Sequence, residues 1–171
     1  MTAYKQIERK NLAIQMIEHL KKRNMEGYYC ETKKEALEKA ISFLPSQCSI
    51  SWGGSESLNE IGFMDYMKVH KDDYQIIDRF AGKTVEEKRE IYGKSTMADY
   101  YFMSANAITK DGIIVNMDGS GNRVACLCHG PNHVVLVIGM NKVAYNLEDA
   151  INRIHLVAGP TNTIRQQMNT P

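Results

Sequence analysis

Apolar residues recur at helical spacing through the first two dozen positions. Leu12, Met16 and Leu20 fall four apart, Ala13 and Ile17 lie beside them, and Lys10, Glu18 and Arg23 fall off that stripe. This predicts an amphipathic amino-terminal helix within 1–26, ended by Asn24 and Gly27, ahead of an α/β body over 27–171. Short apolar runs then alternate with amphipathic ones. An aromatic run at 28–31 leads to Thr32, which can cap a helix over 33–44 stopped by Pro45. A strand over 48–52 runs into Gly53-Gly54 and a helix carrying Leu58, Ile61 and Met64 on one side. A strand over 74–78 follows, then a capping-box pair, Thr84 and Glu87, opening a helix through about Tyr92.

The second half continues the pattern. A strand over 99–104 precedes a hairpin, 107–109 and 113–116, turned by Asp111-Gly112. A glycine-rich loop at 118–122 opens a helix over 123–129 that Gly130-Pro131 stops. The most apolar strand, 133–138, and a final helix, 147–156, complete the order. Strands alternating with helices predict an α/β fold: a mainly parallel sheet, helices on both faces, and a β-hairpin insertion. No linker, repeat or low-complexity segment interrupts the chain, so one domain is expected.

The composition fits that picture. With 171 residues, 43% of them hydrophobic, the chain can bury about two-thirds of its unfolded surface. A net charge of +1 supplies no field for nucleic acid or an acidic membrane. The longest apolar run, 134–138, is far short of the ~20 residues of a membrane span. The amino terminus lacks an unbroken apolar core and a small-residue cleavage site, which predicts no secretory signal and a cytoplasmic protein. Cys30, Cys48, Cys126 and Cys128 fall on regular elements and are expected as free thiols.

Ligands of a parallel sheet bind beyond the carboxyl ends of its strands. Two loops have that position. In Ser51-Trp52-Gly53-Gly54-Ser55-Glu56-Ser57, paired glycines allow close backbone approach, and Ser55 or Ser57 can cap the helix, leaving amides suited to an anion. Glu56 opposes an anion there, and the same sequence also makes a plain strand-to-helix turn. In Asp118-Gly119-Ser120-Gly121-Asn122-Arg123, Asn122 can cap and Arg123 offers a fork of donors; alternatively Arg123 pairs with Asp118 and only holds the loop. It is neither a P-loop nor a dinucleotide fingerprint. Ser104 and Asn106 end a strand, and Asn141-Lys142 follows the most apolar strand, so both pairs are expected at the same mouth. Asn162 and Arg165 can close over a site or form a tail contact. Cys126, Cys128, His129 and His133 cluster in sequence, but on a helix Cys128 points away from Cys126 and His129, so no metal is expected. No cofactor is expected either.

The string Ser51-Trp52-Gly53-Gly54-Ser55 with Leu58 and Ile61-Gly62, then Ala98-Asp99, Ser104 through Thr109, Asp111-Gly112, Asp118 through Arg123, Gly130-Pro131, Val137-Ile138-Gly139 and Asn141-Lys142-Val143, resembles the single-domain form of the bacterial lactate-utilisation (LUD) domain family. The resemblance implies a Rossmann-like three-layer sandwich related to the sugar-phosphate isomerase and coenzyme A transferase superfamily. It also implies a link to L-lactate oxidation to pyruvate, beside iron–sulfur or oxidoreductase subunits. Relatives commonly continue past a Thr-Pro into a cysteine-rich tail, whereas this sequence stops at Thr170-Pro171; Cys126, Cys128 and His129 stand where relatives carry aliphatic or aromatic residues.

Three readings follow. The first is an accessory component of lactate metabolism holding a small anion between Gly53–Ser55 and Gly119–Arg123, with Ser104, Ser120, Asn106, Asn141 and Lys142 contributing. The second is an enzyme on the same fold (an isomerase, acyl transferase or formyltetrahydrofolate cyclo-ligase-like enzyme), for which Glu56, Asp118 and His129 are the titratable candidates. The third is an interaction module that packs its first helix on a partner or a second copy.

Overall fold

The computed structural model describes residues 2–167; Thr170 and Pro171 lie outside them. The chain divides into two compact units, one of Cys30–Ser104 and Asp118–Val137, the other of Met1–Tyr29, Ala105–Met117 and Ile138–Pro171.

The first unit is built on four short parallel strands: β1 (Ser49–Trp52), β2 (Gln75–Ile76), β3 (Tyr100–Met103) and β6 (His133–Leu136), in the order β2-β1-β3-β6. Alternation along the strands separates two faces. Ile50, Trp52 and Phe102 point into a layer with Ala40 of α2 (Lys33–Ile41), Leu58 of α3 (Glu56–Glu60) and Phe63 and Met67 of α4 (Phe63–Val69). Phe63 and Phe102 lie with ring centroids 4.4 Å apart, a pair contributing about 0.5–1.5 kcal/mol beyond its buried area. Tyr101 and Met103 face the other way, onto Cys126 of α6 (Asn122–Cys128). Ser51 on that same face meets Ser95 of α5 (Val85–Thr96) at 2.9 Å between hydroxyls. Helices therefore cover both faces of a parallel sheet, as the alternation of elements predicts.

The second unit carries a mixed sheet, β5-β4-β7. β4 (Ala107–Thr109) and β5 (Ile114–Val115) are the expected hairpin, turned at Gly112 with φ +81°. β7 (Val143–Ala144) pairs parallel to β4; two residues carry no readable period, so the sequence gives no sign of it. Ala107, Ala144 and Ala150 make a small core with α7 (Leu147–Arg153). Within this unit the long helix α1 (Ala3–Lys21) buries Ala13 and Met16, while Tyr4, Ile7 and Ile14 stay exposed on the opposite side. Arg23 beyond it donates to the Asp111 carbonyl at 2.8 Å.

Several boundaries depart from expectation for local reasons. The helix expected through Leu58, Ile61 and Met64 is two helices, broken where Gly62 adopts φ +81°. The helix expected over 33–44 ends at Ile41, and the strand expected over 133–138 ends at Leu136. The helix expected over 147–156 stops at Arg153 and passes through a π-helical turn, Ile154–Ala158, into α8 (Gly159–Arg165). Pro160 sits in the first turn of α8, where a missing N–H costs least.

Candidate functional site

In the order β2-β1-β3-β6 the chain leaves β1 to one side and returns to the other, so the strand order reverses between the parallel neighbours β1 and β3. The crevice beyond the carboxyl ends of two such strands is where open α/β sheets hold ligands. Gly53 continues β1, its N–H donating to the Phe102 carbonyl at 2.9 Å. Ser55 caps α3 by accepting the Leu58 N–H at 3.3 Å. A Cβ at Gly53 would stand 2.6 Å from Arg123 Cγ and 3.1 Å from Tyr101 Oη. Only a residue without a side chain lets the two loops close, and Gly53 and Arg123 meet as a result.

The second loop is organised by Asp118. Gly121, with φ +75°, takes the cap position expected of Asn122. Asp118 Oδ2 accepts the N–H groups of Arg123 at 2.7 Å and Val124 at 2.9 Å. Its Oδ1 accepts Arg123 Nε at 2.6 Å and pairs with Nη2 at 2.5 Å. Arg123 Nη1 donates to the Ser104 carbonyl at 3.2 Å. The amides and the guanidinium expected to meet an outside anion are therefore turned onto a carboxylate of the chain itself. With side chains 14% and 4% exposed, breaking this pair from one side costs about 3–5 kcal/mol.

The residues around it form a cleft of about 190 Å³. Ser120, Gly121 and Asn122 border it from the loop, and Arg79, Tyr92, Ser95, Thr96, Tyr101 and Cys126 supply most of the remaining wall. No carboxylate lines it, and Arg79 is its one charged group. Arg79 lies over the Phe80 ring at 4.9 Å, and no described carboxylate pairs with it. The Tyr101 phenol and Cys126 thiol are hydrogen-bonded to each other, and burial pushes both upward, so both are neutral at pH 7.

The other expected residues lie elsewhere. Gly54, Ser55 and Gly119 do not line the cleft. Glu56 is the first residue of α3 and receives the Asn59 amide at 3.5 Å. His129 is exposed at the far end of α6, about 10 Å along a seven-residue helix from its start. In the second unit, Asn106 Oδ1 accepts the Met117 N–H at 2.9 Å. The carbonyls of Asn106 and Asn141 both receive the Arg153 guanidinium. The Lys142 N–H closes a 3-10 turn onto Gly139. Arg165 donates to Asn162 within α8 at 2.8 Å. Among the described residues no three His, Cys, Asp or Glu side chains gather as a metal would require, and no described helix is long and apolar enough to cross a membrane.

The LUD domain profile matches residues 14–171, which takes in both loops and the whole of the cleft. The chain belongs to the LUD domain family. No curated protein matches it. The LUD domain match begins at Ile14, inside α1, so the outward-facing Tyr4 and Ile7 precede it. Arg79 of this LUD domain was legible by the rule that singled out Gly53: it follows a strand, at the carboxyl end of β2.

Proposed function

We propose that this LUD domain is an accessory component of lactate utilisation that binds a small anion in the cleft beside Arg79. Family membership supports the metabolic setting, and iron–sulfur or oxidoreductase subunits of lactate oxidation are the partners it suggests. The observation that carries the anion is electrostatic: a half-enclosed cleft holds one guanidinium, no carboxylate, and the half-buried amide of Asn122. The Asp118–Arg123 pair holds the loop whose Ser120, Gly121 and Asn122 border the cleft, and Arg79 is the charge that a ligand meets.

A binding role fits the lining better than catalysis. The two shifted groups that converge there, Tyr101 and Cys126, are both raised toward neutrality, whereas a nucleophilic thiol needs the opposite shift. Glu56 and His129 lie outside the lining.

The protein reports on its own cleft, because its single tryptophan, Trp52, borders it. Titrating acetate, inorganic phosphate or coenzyme A is expected to change Trp52 fluorescence for at least one anion, and Arg79→Ala to abolish the change. A flat response to all three would refute the reading. A second reading, an interaction module, draws on the exposed Tyr4, Ile7 and Ile14 of α1. It predicts a self-associated species that Ile7→Glu disperses, and a monomer at all concentrations would exclude self-association through α1.

A further inference from the structure

The cleft has a charged, half-buried part and an inert, buried part. Arg79, Tyr92 and Asn122 are half-buried, whereas Tyr101 is 2% and Cys126 3% exposed. The polar side-chain atoms of Tyr101, Cys126 and Ser95 are already engaged within the chain, whereas the buried indole N–H of Trp52, which also borders the cleft, meets no acceptor among the described residues. Tyr101 and Cys126 bond each other, and the Ser95 hydroxyl is engaged with the Ile91 carbonyl and Ser51. Tyr101, Cys126 and Ser95 therefore offer a ligand shape and apolar contact but no open hydrogen bond.

Size adds a limit. At about 190 Å³ the space matches roughly six water molecules, below the ~300 Å³ at which drug-sized pockets begin. Charge adds another. One guanidinium balances one negative charge, whereas a phosphomonoester at neutral pH carries about −1.5 to −2.

We infer that the cleft takes a short-chain monocarboxylate end-on, its carboxylate at Arg79 and Asn122 and its uncharged tail of a few carbons against Tyr101 and Cys126. This rests on the anion reading above. Coenzyme A esters and nucleotides are excluded from the enclosed part by volume.

The test is a chain-length series followed by Trp52 fluorescence: acetate, propionate, butyrate, hexanoate and decanoate. Affinity is expected to rise about fourfold per methylene while the tail fills apolar space, then to fall once the cavity is full. Ala125→Phe, at a lining position exposed to solvent, adds bulk without a second tryptophan and is expected to move the optimum to shorter acids while acetate still binds, with circular dichroism unchanged. Equal affinity for acetate and decanoate, still lost in Arg79→Ala, would overturn the tail pocket and leave the anion reading standing. Binding of no acid in an Arg79-dependent way would overturn the monocarboxylate pocket, and a flat response to inorganic phosphate and coenzyme A as well would overturn the anion reading with it.

Discussion

Asp118 holds Arg123 at both ends of the residue, accepting its main-chain N–H with one carboxylate oxygen and its guanidinium with the other. The loop and the first turn of α6 are thereby fixed by one side chain. Asp118→Asn is expected to destabilise the protein by about 3 kcal/mol, since it strands a buried cation. Arg123→Met alone should cost a similar amount by stranding the carboxylate. The double variant should lose less than the sum, and urea denaturation of all four proteins measures the coupling.

Asp99 makes the equivalent clamp at the opposite end of the sheet. Its Oδ2 accepts the Ser49 N–H at 2.8 Å and the Ser49 hydroxyl at 2.7 Å, and Oδ1 accepts the Asn132 amide at 3.1 Å. The Ser49 N–H first, then its hydroxyl, hold the carboxyl below the usual range. A depressed folded value means the contribution is complete above the unfolded value, near 3.9, and drains away as pH falls through the folded one. Stability is therefore expected to drop below about pH 4. In Asp99→Asn that drop should be shallower, as followed by thermal melts between pH 3 and 7; equal slopes in the two proteins would contradict the assignment.

Gly53→Ala tests the closure of the two loops. The added carbon meets Arg123 Cγ and Cδ at 2.6 and 2.8 Å, and that stem cannot swing aside while Asp118 holds its end. The expected cost is about 1–3 kcal/mol of overpacking. Gly119→Ala, whose Cβ would meet nothing within 4 Å, should cost much less in the same denaturation assay.

What could be read in advance follows from length scale. The parallel order of elements, the hairpin at Asp111-Gly112 and the Ser55 and Thr84 caps rest on local chemistry that a few neighbouring residues declare. Arg123 itself was legible in two ways, toward a ligand or toward Asp118, and spacing alone does not choose between them. Asn106, Asn141 and Lys142 looked like mouth residues because they follow strands, yet they belong to a second, mixed sheet. That sheet depends on β7, which is two residues long, and pairing so short depends on the rest of the chain. Arg79 follows a strand as Gly53 does, but with no glycine or cap beside it the strand-exit rule alone does not separate it from a solvated arginine until a cleft forms around it.

The two compact units are not consecutive segments, since the chain crosses between them after Tyr29, Ser104, Met117 and Val137. No single cut can release either one intact. A fragment ending at Ser104 lacks β6, an edge partner of β3, and one beginning at Ala105 lacks α1. Dissection by truncation would thus yield incomplete sheets, whereas splicing Ser104 to Asp118 through a designed turn would keep all four parallel strands on one polypeptide and ask whether they stand alone.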